Sequence, residues 1–222
     1  RGMGLDWPTA RELIRRSLAE ARTVPGADLA CGVGTDQLAP QPGVTLEQVR
    51  AAYEEQLEAV EAAGGRAILM ASRALVAAAR GPDDYLALYA RLIAQARDKV
   101  ILHWLGPMFD PQLEGYWGSA DLDAATETVL TLIHAHPERI DGIKISLLDK
   151  QREIALRRRL PQTPIAISAT TDTGLARAKA LYEKDCDVFY FPFDLSPVMR
   201  KAIDRINPAV IGLMELEVWP NL

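Results

Sequence analysis

The chain has 222 residues, of which 49% are hydrophobic and 25% charged, so it can bury a sizeable core and is neither disordered nor of low complexity. A formal charge of -5 gives no reason to expect a nucleic-acid partner. No apolar run is long enough to span a bilayer and no signal peptide precedes the first helix, so a soluble protein is expected.

Apolar runs of strand length alternate along the chain with segments of helical period, which predicts an α/β protein with a parallel sheet of βα units. The predicted strands are Ala27–Val33, Ala67–Ser72, Val100–Leu105, Gly142–Leu147, Ile165–Ala169, Val188–Phe193 and Val210–Met214. The predicted helices are Trp7–Arg22, Leu46–Ala63, two that begin at Asp83 and Asp121, Lys150–Arg159, Thr173–Glu183 and Ser196–Arg205.

Strand starts lie further apart before Lys144 than after it, which indicates that the βα unit changes size partway along and that the chain has two origins. The chain opens at Arg1 and ends at Leu222 without a natural boundary, so a fragment is expected. Cys31 and Cys186 are far apart and fit no metal or disulfide pattern, which indicates reduced thiols in the cytoplasm.

Lys144 stands inside the apolar strand Ile140–Ser146, where burial would favour the neutral amine that forms Schiff bases with carbonyl substrates. The alternative is a lysine at a strand end that reaches solvent or pairs with Asp149.

Six segments in order resemble an uncharacterised bacterial branch of the dihydrodipicolinate synthase and N-acetylneuraminate lyase superfamily. They are Gly2–Trp7, Ala30–Gln37, Ile68–Arg73, Ile101–Gly106, Tyr116–Ser119 and Gly142–Ser146. The resemblance covers residues 1 to about 160 and implies strands three to six of a (β/α)8 barrel, with Lys144 as the Schiff-base lysine. It also implies that the neighbours of Lys144 in the active site, at the carboxyl ends of the strands, are Thr35, Asp36, Ser72, Arg73, His103 and Trp104.

The sequence departs from that superfamily at two points. The fifth-strand tyrosine that relays protons is replaced by His103-Trp104, so His103 is either the acid/base or a packed, orienting histidine. The first two strands, with the loop that binds the substrate carboxylate, would precede Arg1, which leaves substrate recognition incomplete and activity impaired or absent.

From about Leu156 to Leu222 the sequence resembles the N-terminal domain of 3-deoxy-D-manno-octulosonic acid (Kdo) transferases. The resemblance is clearest at Thr170–Gly174, Tyr190–Asp194 and Met214–Asn221. That resemblance implies a Rossmann-like domain that binds a lipid A-type sugar acceptor, with Thr170, Thr171 and Glu215 as contacts. Helix capping by the threonines and an edge charge at Glu215 are the alternatives.

The two segments meet at Ala155–Pro161, the join, where the sequence is typical of the end of a helix in either family. We interpret the chain as a chimera, whether of recombined βα fragments, an engineered fusion or a spliced reading frame, with segments 1–160 and 161–222 sharing one continuous sheet. Seven strands cannot close an eight-stranded barrel, so we favour a partial barrel over a doubly wound sheet. Its open edge could pair with a second chain.

Candidate functional residues are expected on one rim of this sheet: Asp36, Arg73, His103, Lys144, Ser146, Thr170, Thr171, Asp172, Asp194 and Glu215. Phe109, Tyr116 and Trp117 in the loop after the third predicted strand either roof a pocket or cover the barrel end. His134 and His136 share no helix face, so neither a metal nor another cofactor is expected.

Three functions follow as alternatives. The first is a Schiff-base lyase of the aldolase type that acts on a 2-oxo acid. The second is a sugar-acceptor-binding fragment of a Kdo transferase, and the third is a non-catalytic α/β domain.

Overall fold

A computed structural model describes residues 5–24, 26–161, 166–169, 172–184, 186–190 and 196–206 of the chain. The chain divides into two compact units, residues 1–161 and residues 162–222, and each is described by itself.

The first unit alternates helices and strands throughout its length. Its elements are α1 (Trp7–Ala21), β1 (Ala30–Val33), α2 (Leu46–Ala62), β2 (Arg66–Leu69), α3 (Arg73–Ala78), α4 (Pro82–Gln95), β3 (Val100–Leu105), α5 (Leu122–Ala135), β4 (Ile140–Ser146) and α6 (Lys150–Arg157). Short 3₁₀ turns at Pro111–Leu113 and Tyr116–Gly118 lie between β3 and α5.

The four strands of this unit form one parallel sheet in the order β1-β2-β3-β4. Chain neighbours are therefore sheet neighbours, as in a (β/α)8 barrel, whereas the strand order of a doubly wound sheet reverses at a switch point. The prediction of an α/β fold built from parallel βα units is confirmed, and the sequential order is the one expected for a segment of a barrel.

The helices cover one face of the sheet. Val33, Leu69 and Leu102 occupy paired positions on neighbouring strands and are fully buried in the same apolar core as Tyr53 and Tyr89 of α2 and α4. On the opposite face, Ile68 and Ile101 pair with each other and are only half-buried. The second face is thus the more open of the two, and it carries the chemistry described below.

Several predicted helix starts are confirmed by their capping bonds. Asp6 accepts a hydrogen bond from the Thr9 backbone N–H at 3.0 Å, and Thr45 forms a reciprocal capping box with Gln48. The Asp121 side chain accepts from the Asp123 N–H at 2.9 Å, as expected for the start of α5.

Several boundaries differ from the prediction, and three of them have a local cause or a shift that bears on the site. The second strand was predicted to run to Ser72, but it ends at Leu69, because Ser72 instead caps the unpredicted helix α3 through the Leu75 N–H at 3.0 Å. Helix α4 begins at Pro82 rather than Asp83, with Gly81 as its N-cap. Strand β1 starts three residues later than predicted, at Ala30.

The second unit contains β5 (Ala166–Ala169), α7 (Asp172–Tyr182), β6 (Asp187–Tyr190) and α8 (Ser196–Ile206) in its described residues. The strands β5 and β6 pair in parallel from Ala166 opposite Asp187 to Ala169 opposite Tyr190. The predicted strand Val210–Met214 lies outside the described residues. A single sheet through both units stays a prediction.

Candidate functional site

The centre of the candidate site is a pair of residues on neighbouring strands. His103 of β3 lies directly opposite Lys144 of β4 in the parallel register, so both side chains point to the more open face of the sheet. Ser146 follows Lys144 by two positions and therefore shares this face. The sheet thus brings together three residues that were predicted to share a site.

His103 is buried, with 5% of its surface exposed, and both ring nitrogens have neighbours. Nε2 lies 3.2 Å from Ser146 Oγ and Nδ1 lies 3.4 Å from Met70 Sδ. Burial lowers the pKa of His103, and the positive charge of Lys144 lowers it further. The imidazole is therefore neutral near pH 7, with one nitrogen directed at a hydroxyl that can donate a proton to it or accept one from it.

Lys144 is exposed, which corrects the expectation that burial in an apolar strand favours its neutral form. The expectation assumed a sheet covered on both faces, whereas Lys144 stands on the open face. The rival expectation, a lysine that reaches solvent, describes its position better. Its role as the Schiff-base lysine stays a prediction, and that role now depends on a neighbouring base rather than on burial.

A second polar group lies where β1 and β2 end. Thr35 Oγ1 and Ser72 Oγ, both buried, are 2.6 Å apart, and the Ser72 N–H donates to the Tyr116 hydroxyl at 3.3 Å. The Tyr116 hydroxyl is also 2.6 Å from that of Tyr89. Burial raises the pKa of both tyrosines well above the usual value, so these hydroxyls stay protonated in the neutral pH range.

Two charged residues predicted to contact substrate follow β1 and β2 at this end of the sheet. Asp36 is exposed in the loop after β1. Arg73, the first residue of α3, is 48% exposed and forms an ion pair with Asp110, which is 14% exposed. The Arg73 guanidinium is therefore held in place by a carboxylate, and a substrate carboxylate would have to compete with Asp110.

The aromatic residues of the loop after β3 were expected either to roof a pocket or to cover the end of the barrel. Tyr116 and Trp117 are buried and pack with Tyr85, Tyr89 and Trp104, so they cover the end of the core. Phe109 in contrast is 54% exposed.

Gln56 is a contributor that the sequence analysis missed. It is buried on α2, where its Oε1 accepts from the Gly34 N–H at 2.7 Å and its Nε2 donates to Gln37 Oε1 at 2.6 Å. It thus anchors the loop that carries Thr35 and Asp36. The sequence pattern that could have indicated its role is its position: Gln56 is a polar residue inside the apolar stripe of α2, between Tyr53 and Val60.

The predicted contacts Thr170, Thr171, Asp194 and Glu215 lie outside the described residues. Asp172 is described and is exposed at the start of α7. Within the described ranges, no three His, Cys, Asp or Glu side chains group in a way that could hold a metal ion. Among the helices described, none has the length and apolarity needed to cross a bilayer.

Two family models match the chain. The model described as "Protein of unknown function (DUF993)" matches residues 1–172, and the model described as "3-Deoxy-D-manno-octulosonic-acid transferase (kdotransferase)" matches residues 153–222. The predicted union of two family segments is thus confirmed, and the predicted join lies where the two matches overlap.

Two curated relatives match the second segment. A 3-deoxy-D-manno-octulosonic acid transferase from Haemophilus influenzae is 33% identical over 67 residues, which is 30% of this chain and 16% of that protein. A bifunctional glycosyltransferase/methyltransferase from Fusobacterium nucleatum is 38% identical over 60 residues, 26% of this chain and 9% of that protein. The chain spans less than a fifth of either relative.

Among solved structures, a dihydrodipicolinate synthase family protein from Coccidioides immitis superposes with a TM-score of 0.49 at 15% identity, over 89% of this chain and 56% of that one. The match of residues 1–172, more than three quarters of the sequence, decides the family: the chain belongs to the DUF993 family of proteins of unknown function.

Proposed function

We propose that the first unit forms a Schiff base between Lys144 and the carbonyl carbon of a small 2-oxo acid, in chemistry of the lyase or aldolase type. The observation that carries the proposal is the placement of His103, which lies opposite Lys144 on the neighbouring strand and 3.2 Å from Ser146 Oγ. These three residues supply an amine nucleophile, a neutral base and a hydroxyl on one face of one sheet.

Imine formation needs an unprotonated amine, and a neutral imidazole beside the lysine can accept the ammonium proton. The amine nitrogen then adds to the 2-oxo carbon and gives a carbinolamine. Loss of water from this intermediate requires a proton on the departing oxygen, and the protonated His103 returns one, directly or through the Ser146 hydroxyl. The ring ends the cycle neutral, so the protons balance.

The substrate carboxylate is assigned to Arg73, the partly exposed cation on the loop side of the same sheet. Binding there exchanges the Asp110 carboxylate for that of the substrate, and bidentate contact with a carboxylate suits a guanidinium. Asp36, exposed in the loop after β1, is assigned as a further polar contact at the carbonyl end of the substrate. Both cysteines are free thiols in the structure, and we place the protein in the cytoplasm, a reducing compartment.

Borohydride reduction in the presence of pyruvate tests the proposal directly. Reduction of the imine fixes the acid to the lysine, and the peptide that contains Lys144 should gain the mass of the acid less one oxygen atom. Lys144→Ala should abolish the adduct, whereas Lys150→Ala, which removes an exposed lysine at the start of α6, should retain it. His103→Asn should slow trapping by about 10²-fold, the lower range of general acid–base effects.

A different pattern of trapping would refute the proposal. Absence of any adduct at Lys144 would leave the first unit without this activity, in line with the third alternative, a non-catalytic α/β domain. Equal labelling of Lys144 and Lys150 would mean that borohydride reports only accessible amines.

A second function is favoured by the match of residues 153–222 to the Kdo transferase family. On this alternative the second unit binds a phosphorylated glucosamine disaccharide through Thr170, Thr171 and Glu215. Calorimetric titration of that disaccharide should show saturable binding that survives Lys144→Ala and is lost in Thr171→Ala. Binding that Thr171→Ala leaves intact would exclude the threonine-rich segment as the contact.

A further inference from the structure

Large apolar side chains are exposed in the two loops that follow β3 and β4, the strands that carry His103 and Ser146. Met108 is 49% exposed, Phe109 54% and Leu148 75%. Phe109 comes six residues after His103 along the chain, and Leu148 comes two residues after Ser146. Exposed apolar groups that cluster beside polar site residues are typical of ligand-binding surfaces.

The loop after β3 is firmly held. The Gly106 N–H donates to the Ser146 carbonyl oxygen at 3.0 Å, and the Phe109 N–H closes a turn onto the Gly106 carbonyl oxygen at 3.1 Å. Met108 lies so close to Gly106 that a Cβ there would come within 2.5 Å of its sulfur and 2.8 Å of Leu147 Cδ2. Asp110 then fixes the far side of the turn by its ion pair with Arg73. Met108 and Phe109 are thus displayed on a fixed turn.

Leu148 supplies an independent observation. Its φ of 55° is in the left-handed region, which a leucine occupies at a cost of about 1–2 kcal/mol. The strained residue is also the most exposed large apolar side chain in the described part of the chain. Burial explains neither its backbone conformation nor its exposed side chain, and strained residues of this kind cluster at binding sites.

We propose that Met108, Phe109 and Leu148 form an apolar rim that binds the carbon chain of the substrate, so that the preferred 2-oxo acid carries an aliphatic chain of several carbons rather than the methyl group of pyruvate. The inference rests on the proposed Schiff-base function and deepens it. Polar recognition belongs to the carboxylate and carbonyl end, at Arg73 and Lys144. The rim at the loop tips receives the rest of the molecule.

Competition between pyruvate and 2-oxooctanoate for borohydride trapping at Lys144 tests the rim. Each methylene removed from water favours the longer acid by about fourfold, and partial cover of its chain should give a preference of at least about tenfold. The double variant Met108→Ser/Phe109→Ser and the single variant Leu148→Ser should each lower that preference by about threefold or more. Leu13→Ser, which changes an exposed apolar residue on α1, is the matched control and should not alter it.

A second measurement separates the failure of the rim from the failure of the Schiff base. Calorimetric binding of both acids to the Lys144→Ala variant needs no imine and should retain the preference for 2-oxooctanoate. Trapping of both acids in equal yield would overturn the rim and leave the proposed function standing. Preferential binding that depends on Met108 and Phe109, without any trapping, would support the rim and refute the Schiff base.

Two further results would overturn the inference. If neither acid is trapped or bound, the rim and the proposed function fall together. If sedimentation shows a concentration-dependent dimer that Met108→Ser/Phe109→Ser dissociates, the rim binds a second copy of the chain rather than a substrate.

Discussion

Replacement of Gly118 by alanine tests how the loop after β3 is anchored. Gly118 ends the turn that carries Tyr116 and Trp117, and its φ is 85°, a value that alanine rarely adopts. A Cβ at this position would lie 2.7 Å from the Gly81 carbonyl carbon and from Pro82 Cα, and closer still to the Pro82 nitrogen. These are backbone atoms at the start of α4, which cannot turn away as a flexible side chain would.

The cost divides into a conformational and a steric part. The left-handed backbone costs alanine about 1–2 kcal/mol, and forcing an extra methyl group into a packed site costs about 1–3 kcal/mol. Gly118→Ala should therefore lower the free energy of unfolding by about 2–5 kcal/mol. Gly43 provides a matched control, because its φ is 87° and a Cβ there would meet nothing within 4 Å. Gly43→Ala should show the conformational cost alone, about 1–2 kcal/mol.

Urea unfolding followed by tryptophan fluorescence measures both variants, since Trp104 and Trp117 are buried in the affected core. A difference of about 1–3 kcal/mol between the two variants is the steric part. Equal losses of stability in the two variants would refute the close packing of the turn against the start of α4.

Three further changes test other parts of the first unit. The lowered pKa of His103 makes protonation harder in the folded chain than in the unfolded one, so its contribution to stability is present above about pH 6.5 and is lost as the pH falls through the folded pKa. Urea unfolding at pH 7.5 and pH 5 should therefore show a smaller acid loss in His103→Asn, and equal losses would contradict the burial of the ring. Burial raises the pKa of Tyr53 to about 12 and that of Tyr89 in the same direction, so stability is present below about pH 10 and is lost as the pH rises through the folded values. Tyr89→Phe should flatten the alkaline limb of the unfolding profile, and an unchanged limb would argue against a buried hydroxyl at this position. Gln56→Leu removes the acceptor of the Gly34 N–H and should cost about 1–3 kcal/mol. Gln95→Leu removes an exposed hydrogen bond to Glu54 instead and should cost less than about 0.5 kcal/mol, and equal losses in the two glutamine variants would show that burial adds nothing to the Gln56 bond.

Local signals predicted much of the first unit. Helix starts followed from capping chemistry that acts within three residues, as at Thr45 and Asp121, so the surrounding fold could not override them. The third strand was predicted with its observed bounds, because the apolar run Val100–Leu105 stands between polar segments. The alignment of His103 with Lys144 could also be predicted from the sequence, since residues near the carboxyl ends of parallel strands meet at one edge of the sheet.

The misses have a common physical origin in tertiary context. The run from Ile68 to Ala71 continues without a break into α3, so the switch from strand to helix depends on the Ser72 hydroxyl and its bond to the Leu75 N–H. Whether Lys144 is buried or reaches solvent was left open, because an apolar strand does not reveal whether both of its faces are covered. Gln56 was overlooked because its partner, the Gly34 N–H, lies 22 positions away in sequence.

Helix α6 lies where the two family segments meet, and its contacts attach it to the hydrophobic core of the first unit. Within the described residues it is fixed to α5 by an ion pair of Arg152 with Asp123. The turn that follows it is fixed by a second ion pair, in which Arg159 Nη2 lies 2.7 Å from Glu127 Oε2. Such exposed pairs contribute about 0–1 kcal/mol each. Leu156 between them is buried in the core, and the loss of a buried leucine side chain typically costs about 2–5 kcal/mol.

The two family matches share residues 153–172, and Leu156 lies inside that overlap. The buried side chain of α6 therefore lies in the segment that both family models match. The charged partners on α5 belong to the first segment alone, and they tolerate variation because each contributes little. The join thus falls at a helix that contacts the first core through Leu156 and exposed charges, and not inside the four-stranded sheet that carries the His103–Lys144 pair.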